Sequence, residues 1–172
     1  MSRNTRLIQV TITRPANATA YTAGDVVGDA SGSAILTFEG FGESIGEVEV
    51  LAADLRCHVA SVPAGQTTWD LHLFNASPTA IADNAAFDLV AGDRSKYLGK
   101  LTIAAMVDEI STIAITTTFT NRYFTPGTNG KVYGLLKTVG GFTPGSGDVF
   151  VLGLHVAQRE LYRYKRYGIK LC

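Results

Sequence analysis

Three histidines, two cysteines and scattered carboxylates are the side chains of this chain that could do chemistry. His58, His72 and His155 each fall in an alternating apolar stretch that reads as a β-strand, and antiparallel folds can bring histidines from different strands to one metal. The neighbourhoods are Arg56-Cys57-His58-Val59 and Asp70-Leu71-His72-Leu73, so the His-any-His pair with a following carboxylate that metal-binding jelly rolls use is absent. Each histidine therefore reads as exposed or hydrogen-bonded, with no metal and no other cofactor assigned. Cys57 keeps register with Leu55 and Val59 on the apolar side of its strand, which predicts a buried, inert thiol. Cys172 is the last residue, and a cytosolic origin argues against a disulfide between the two.

Nucleophile and phosphate motifs are missing too. Gly145-Ser146-Gly147 follows Pro144 in a turn rather than in the strand-to-helix elbow a serine nucleophile needs. Gly127-Thr128-Asn129-Gly130-Lys131 is too short to cradle a phosphate and reads as a hairpin turn. Glu47 with Glu49, and Asp25 with Asp29, stand at strand or turn spacing and read as solvated. Asp25 and Asp148 lack the dense oxygen-ligand loop that calcium requires. No residue is assigned to catalysis, and the chain reads as a non-enzyme.

The elements that would position these residues are strands. A chain of 172 residues with 15 Lys plus Arg against 15 Asp plus Glu fits one domain, residues 1–172, without the net field that draws a protein to nucleic acid or an anionic membrane. No apolar stretch is long enough for a signal peptide or a membrane span, so a product made in the cytoplasm is expected. Ile8, Val10 and Ile12 alternate with Gln9, Thr11 and Thr13, and Trp69, Leu71 and Leu73 alternate with Asp70 and His72. In Val48 to Val62 the apolar register shifts near Leu51 and Ala52, which predicts a β-bulge. Further strands are expected at 35–38, 98–107, 113–119, 132–139 and 149–156, separated by Gly- and Pro-rich turns. The sum is an all-β antiparallel sandwich or jelly roll of about eight or nine strands. At most one short helix is expected, over Asn84 to Ala91 with Asp83 as its cap.

Two regions stand outside this pattern. Val149 to Val156 has Phe150, Leu152, Leu154 and Val156 on one side, while Val149, Val151 and Gly153 give the other no polar cover. Such a strand lies either between two layers or against another chain. The segment 158–172 gathers basic and aromatic residues, among them Tyr162, Arg163, Tyr164, Lys165, Arg166 and Tyr167. Tyrosine and arginine combine contact area with directional donors, so this segment is the candidate contact element, with a solvated tail or a last strand as the alternative. A short N-terminal arm, residues 1–7 with Arg3 and Arg6, is expected to share that role.

The phrase Phe74-Asn-Ala-Ser-Pro78-Thr-Ala-Ile-Ala-Asp83-Asn84-Ala-Ala-Phe87-Asp-Leu89, followed by Tyr97-Leu98-Gly99 and preceded by Tyr21-Thr-Ala-Gly24-Asp25-Val-Val-Gly28, resembles tailed-phage capsid decoration (cement, head-stabilising) proteins. The resemblance implies a jelly-roll or related β fold. It also implies a homo-oligomer, dimer or trimer, on the outer surface of the virion, bound to the major capsid protein. A second reading is a carbohydrate-binding β-sandwich, a phage adhesion or tail accessory module with Tyr123, Phe124, Tyr133 and Phe142 as sugar platforms. A metal-dependent jelly-roll enzyme is a third.

Overall fold

The computed structural model describes residues 3–41, 46–110 and 112–159. Its strands are β1 (Arg3–Thr13), β2 (Val26–Val27), β3 (Leu36–Phe38), β4 (Val48–Cys57), β5 (Trp69–Phe74), β6 (Tyr97–Ile103), β7 (Val107–Asp108), β8 (Ala114–Phe124), β9 (Val132–Thr138) and β10 (Val149–Arg159). One five-stranded sheet runs β1-β10-β4-β8-β7, and the other runs β2-β9-β5-β6 with β3 also on β9. Every pairing is antiparallel and most of them nest, β1 with β10, β2 and β3 with β9, β4 with β8, and β5 with β6. That nesting is what results when a long hairpin rolls up into two facing sheets, the jelly roll.

The alternation read from the sequence sets the inner faces. Ile8 and Ile12 of β1, Val50 and Leu55 of β4, Leu71 and Leu73 of β5, and Phe150, Leu152 and Leu154 of β10 are all buried in one core. Trp69 anchors it, edge-on to Phe142 at 5.2 Å and to Phe150 at 5.7 Å. Cys57 is buried there, and loss of solvent, then the nearby Asp148 carboxylate, pushes its thiol up to about 12. The bulge falls where the register shift places it: Val50 pairs with Val156 and Ala52 with His155, leaving Leu51 as the extra residue.

Several expectations need correction. Residues Arg3 to Leu7 are not an arm; β1 begins at Arg3 and pairs with β10 in unbroken register from Arg3–Arg159 to Thr13–Val149. No helix spans Asn84 to Ala91, because Asn84 sits at φ +60° and Asp83 spends its carboxylate elsewhere, accepting from Gly28 N at 2.8 Å and from the Tyr21 hydroxyl. The short helix is instead a 3-10 turn at Ala91–Lys96. Residues 125–131 do not close a hairpin: they carry the chain from β8 in one sheet to β9 in the other. The 98–107 strand is broken into β6 and β7, which lie in different sheets.

Candidate contact surface

Strand register shows which side chains share the outer face of the β1-β10-β4-β8-β7 sheet. Leu7 lies beside His155, His155 beside Ala52, and Ala52 beside Phe119, a lateral row across four strands. The bulge turns Leu51 onto the same face, where it lines a depression of about 380 Å³ with Thr5, Leu7 and His155. Phe119 is 86% exposed and Leu7 43%, while Val107, next to Ile115 on β7, is 62% exposed. Large apolar side chains on one open face make it the candidate for contact with another molecule. At Gly153 a Cβ would stand 3.0 Å from Leu7 Cδ1, so the Leu7 side chain lies across the β10 backbone.

Polar groups on this face are tied up locally. His155 Nε2 is 2.6 Å from Asp54 Oδ2, and the Tyr123 hydroxyl donates to Glu49 Oε1 at 2.7 Å. Asp54 and Glu49 are buried although they point away from the core, so Glu49 is not the solvated carboxylate its spacing suggested. The His155–Asp54 pair has no nucleophile hydrogen-bonded to it among the described residues, and what it does is fix the two side chains against each other.

The outer face of the other sheet is built differently. Residues 75–96 fold back over it, and Ile81, Phe87 and Leu89 pack on Phe74, Leu135 and Val26 in a second apolar cluster. The Phe87 ring stacks on His72 at 3.9 Å, and His72 Nδ1 meets the Tyr97 hydroxyl at 3.0 Å. Burial, then the Lys137 charge, pulls the His72 imidazole down to about 4, so it is neutral near pH 7. Asp70 is next to it, bound by Lys100 Nζ at 2.8 Å, Lys137 Nζ at 3.0 Å and Thr102 Oγ1 at 2.9 Å. Burial opposes its ionisation most strongly of any single influence, yet these three donors together outweigh burial and hold the carboxyl at about 2. The covering segment is anchored through Asp83, which also accepts from Arg14 Nη2 at 3.3 Å. Arg14 is fully buried and donates through Nε to the Tyr21 hydroxyl. Burial, then the bond to Asp83, raises the Tyr21 phenol well above its usual range.

The expected contact residues divide in two. Arg3 pairs with Arg159 at one end of the sheet, so the start of β1 and the last described residue of β10 lie together. Arg6 is engaged within the fold, with Nη2 donating to Gln158 Oε1 at 3.0 Å and Nη1 to the Gly40 carbonyl. Tyr162, Arg163, Tyr164, Lys165, Arg166 and Tyr167 lie outside the described residues. Gln158 and Arg159, the first residues of the expected contact segment, belong to β10. Of the four aromatics considered as sugar platforms, Phe124 and Phe142 are core residues, and Tyr133 packs in the second cluster with its hydroxyl on Asn129. Tyr123 alone is exposed, and it shares no platform with them. Asp25 and Asp148 close their own turns, accepting from Thr22 N and Gly145 N. Among the described residues no group of three or more His, Cys, Asp or Glu could hold a metal ion, and no helix is long and apolar enough to cross a membrane.

Sequence reading missed Phe119 and Leu51 as surface residues. The signal for Phe119 was present: it falls in step with Ile115 and Thr117, on the side opposite the buried Ala114, so its face was legible once the strand was placed.

The fold and surface define a class: an all-β jelly roll with one sheet face covered by its own chain and the other left open by the described residues. No family model and no curated protein sequence matches the chain. Solved structures similar to it include one described as turnip yellow mosaic virus, at 8% identity and TM-score 0.30 over 92% of this chain and 82% of that one. Another is the cyanophage Pam1 capsid asymmetric unit, at 13% identity and TM-score 0.32 over 91% and 85%. A third is tomato aspermy virus, at 12% identity and TM-score 0.31 over 94% and 80%. Likeness this distant transfers neither a fold nor a role to this chain.

Proposed function

We propose that this protein is a non-enzymatic structural component of a phage virion that binds the outer surface of the capsid and stabilises it by bridging neighbouring major capsid protein subunits. The observation that carries this reading is the open face, where Leu7 and Phe119 stand exposed and Leu51 half-buried on the strands whose shared end holds Arg3 and leads into residues 160–172. The likeness of Tyr21 to Gly28 and of Phe74 to Gly99 to capsid decoration proteins supports it.

The mechanism is mechanical. A ligand that binds only the closed shell stabilises that shell by the free energy of its contacts, and many copies multiply a small individual term. A two-sheet core holds a contact face in fixed geometry, so little entropy is lost when that face docks. The apolar side chains supply area, and the arginines and tyrosines of 160–172, with Arg3, supply directional contacts at its end. In this reading Arg6 acts indirectly, by tying β1 to Gln158 and Gly40.

Truncation after Arg159 tests the role of the terminal segment. Co-sedimentation with capsids lacking the protein is expected to lose occupancy while the melting temperature of the truncated domain holds. Full occupancy without residues 160–172 would remove that segment from the contact surface.

A further inference from the structure

The free edge of β1 is unlike the other described strand edges of this molecule. Strand edges offer unpaired N–H and C=O groups, and proteins blunt them with short strands, lysine, proline, bulges or a covering element. The edge strand β7 has two residues, and β2 and β3 have two and three. The edge of β6 is approached by β8, with Arg122 Nη2 donating to the Leu98 carbonyl and Ala104 N to Thr118 Oγ1. β1 has eleven residues, no lysine, no proline and no break in register with β10. A groove of about 510 Å³ opens alongside it, between Arg6 to Gln9 on one side and Thr37, Glu39 and Gly40 on the other.

Which backbone groups face outward is fixed by one bond. The Thr13 carbonyl accepts from Ala30 N at 2.8 Å, off the free edge, whereas Arg14 N donates the other way, to the Asp148 carbonyl at 3.0 Å. Successive residues of a strand direct their N–H and C=O to alternate sides. Thr5, Leu7, Gln9 and Thr11 therefore aim both groups at the free edge, while Arg6, Ile8 and Val10 bond to β10. Among the described residues nothing else in the backbone bonds to Thr5, Leu7, Gln9 or Thr11 from that side.

We propose that this edge pairs antiparallel with β1 of a second copy, about a two-fold axis at Ile8. The unsatisfied stretch, Thr5 to Thr11, is centred on Ile8, and it ends where Ala30 occupies Thr13. A two-fold there sets Leu7 opposite Gln9, Thr5 opposite Thr11 and Arg6 opposite Val10, so every outward group finds a partner and no like charges meet. The two five-stranded sheets become one, and the open faces carrying Leu7 and Phe119 are joined edge to edge. The inference builds on the homo-oligomer that the resemblance to decoration proteins implies and is independent of capsid binding.

The test uses the purified full-length protein. Sedimentation equilibrium is expected to show a dimer, and amide exchange at Leu7, Gln9 and Thr11 is expected to slow as protein concentration rises. The amides of Ile8 and Val10, already bonded to β10, stay unchanged. Gln9→Pro removes an outward N–H that no described backbone group accepts from, so the fold is expected to persist while the dimer dissociation constant rises at least about tenfold. A monomer at all concentrations, a trimer, or a dimer with no change in exchange at Leu7, Gln9 and Thr11 would overturn the proposal, and so would a folded Gln9→Pro protein that dimerises as well as the parent. Capsid binding by a protein that fails these tests would leave the proposed function standing without this edge.

Discussion

The two sheets of this jelly roll present opposite solutions to the same problem, an outer face that an antiparallel sheet leaves toward solvent. On the β2-β9-β5-β6 sheet the chain supplies its own cover: residues 75–96 lay Ile81, Phe87 and Leu89 over Phe74 and Leu135, and buried polar groups such as Asp70 and His72 are held between them. On the β1-β10-β4-β8-β7 sheet no described segment does so, and Leu7 and Phe119 stand in the open with Leu51 half-buried beside Leu7. The stretch that most resembles decoration proteins, Phe74 to Gly99, coincides with the covering segment. The motif thus records how one face is closed, while the proposed contacts belong to the other. A resemblance carried by turns and packing can point to a family without containing its binding residues.

The sharpest way to break this contrast is to loosen the cover. Asp83→Ala removes the acceptor shared by Arg14, Tyr21 and Gly28 and leaves a fully buried guanidinium without its carboxylate. The expected loss is roughly 3–5 kcal/mol in urea unfolding. A loss below about 1 kcal/mol would mean that the segment is held by its apolar contacts alone.

Acid offers a gentler probe of the same face. His72 titrates near 4 in the fold against 6.5 for an ordinary imidazole, so between those values the unfolded chain binds more protons and stability falls as pH drops. The slope in that window is expected to approach about 1.4 kcal/mol per pH unit at most. Asp70, held near 2, has the depressed carboxylate's behaviour: its contribution is present above about 4 and is lost as pH falls toward 2. A His72→Leu variant is expected to be flat from 6.5 to 4 and to keep the lower transition. An unaltered slope in that variant would assign the acid sensitivity elsewhere.

The smallest stability effect is expected on the open face. Phe119→Ala touches a ring that is 86% exposed and is expected to change unfolding free energy by no more than about 0.5 kcal/mol. A substantially larger loss would show that Phe119 packs within its own chain.

Much of the fold was legible because it follows from local periodicity. The bulge at Leu51 was readable, since an extra residue is the only way to keep both Val50 and Leu55 on the core side. What failed depended on partners distant in sequence. Asp83 looks like a helix cap until Tyr21 and Gly28 are brought to it across the sandwich. Gly127 to Lys131 has the residues of a hairpin turn, and local chemistry does not say that the strands on either side belong to different sheets. Arg3 to Leu7 are polar and basic at their start, which hid a strand whose order comes from its pairing with β10. Of the proposed contact surface, the terminal basic and aromatic segment was visible as composition, whereas the row of Leu7, His155, Ala52 and Phe119 exists only once four strands are in register.

The most direct test of the central claim is co-sedimentation with expanded phage capsids that lack this protein, comparing the parent with Phe119→Asp after both are shown to be folded. The parent is expected to saturate at a copy number compatible with the icosahedral lattice, and the variant to lose most of that occupancy. Saturation of both at the same number, or no binding by the folded parent, would contradict the assignment of the open face as a capsid-contact surface.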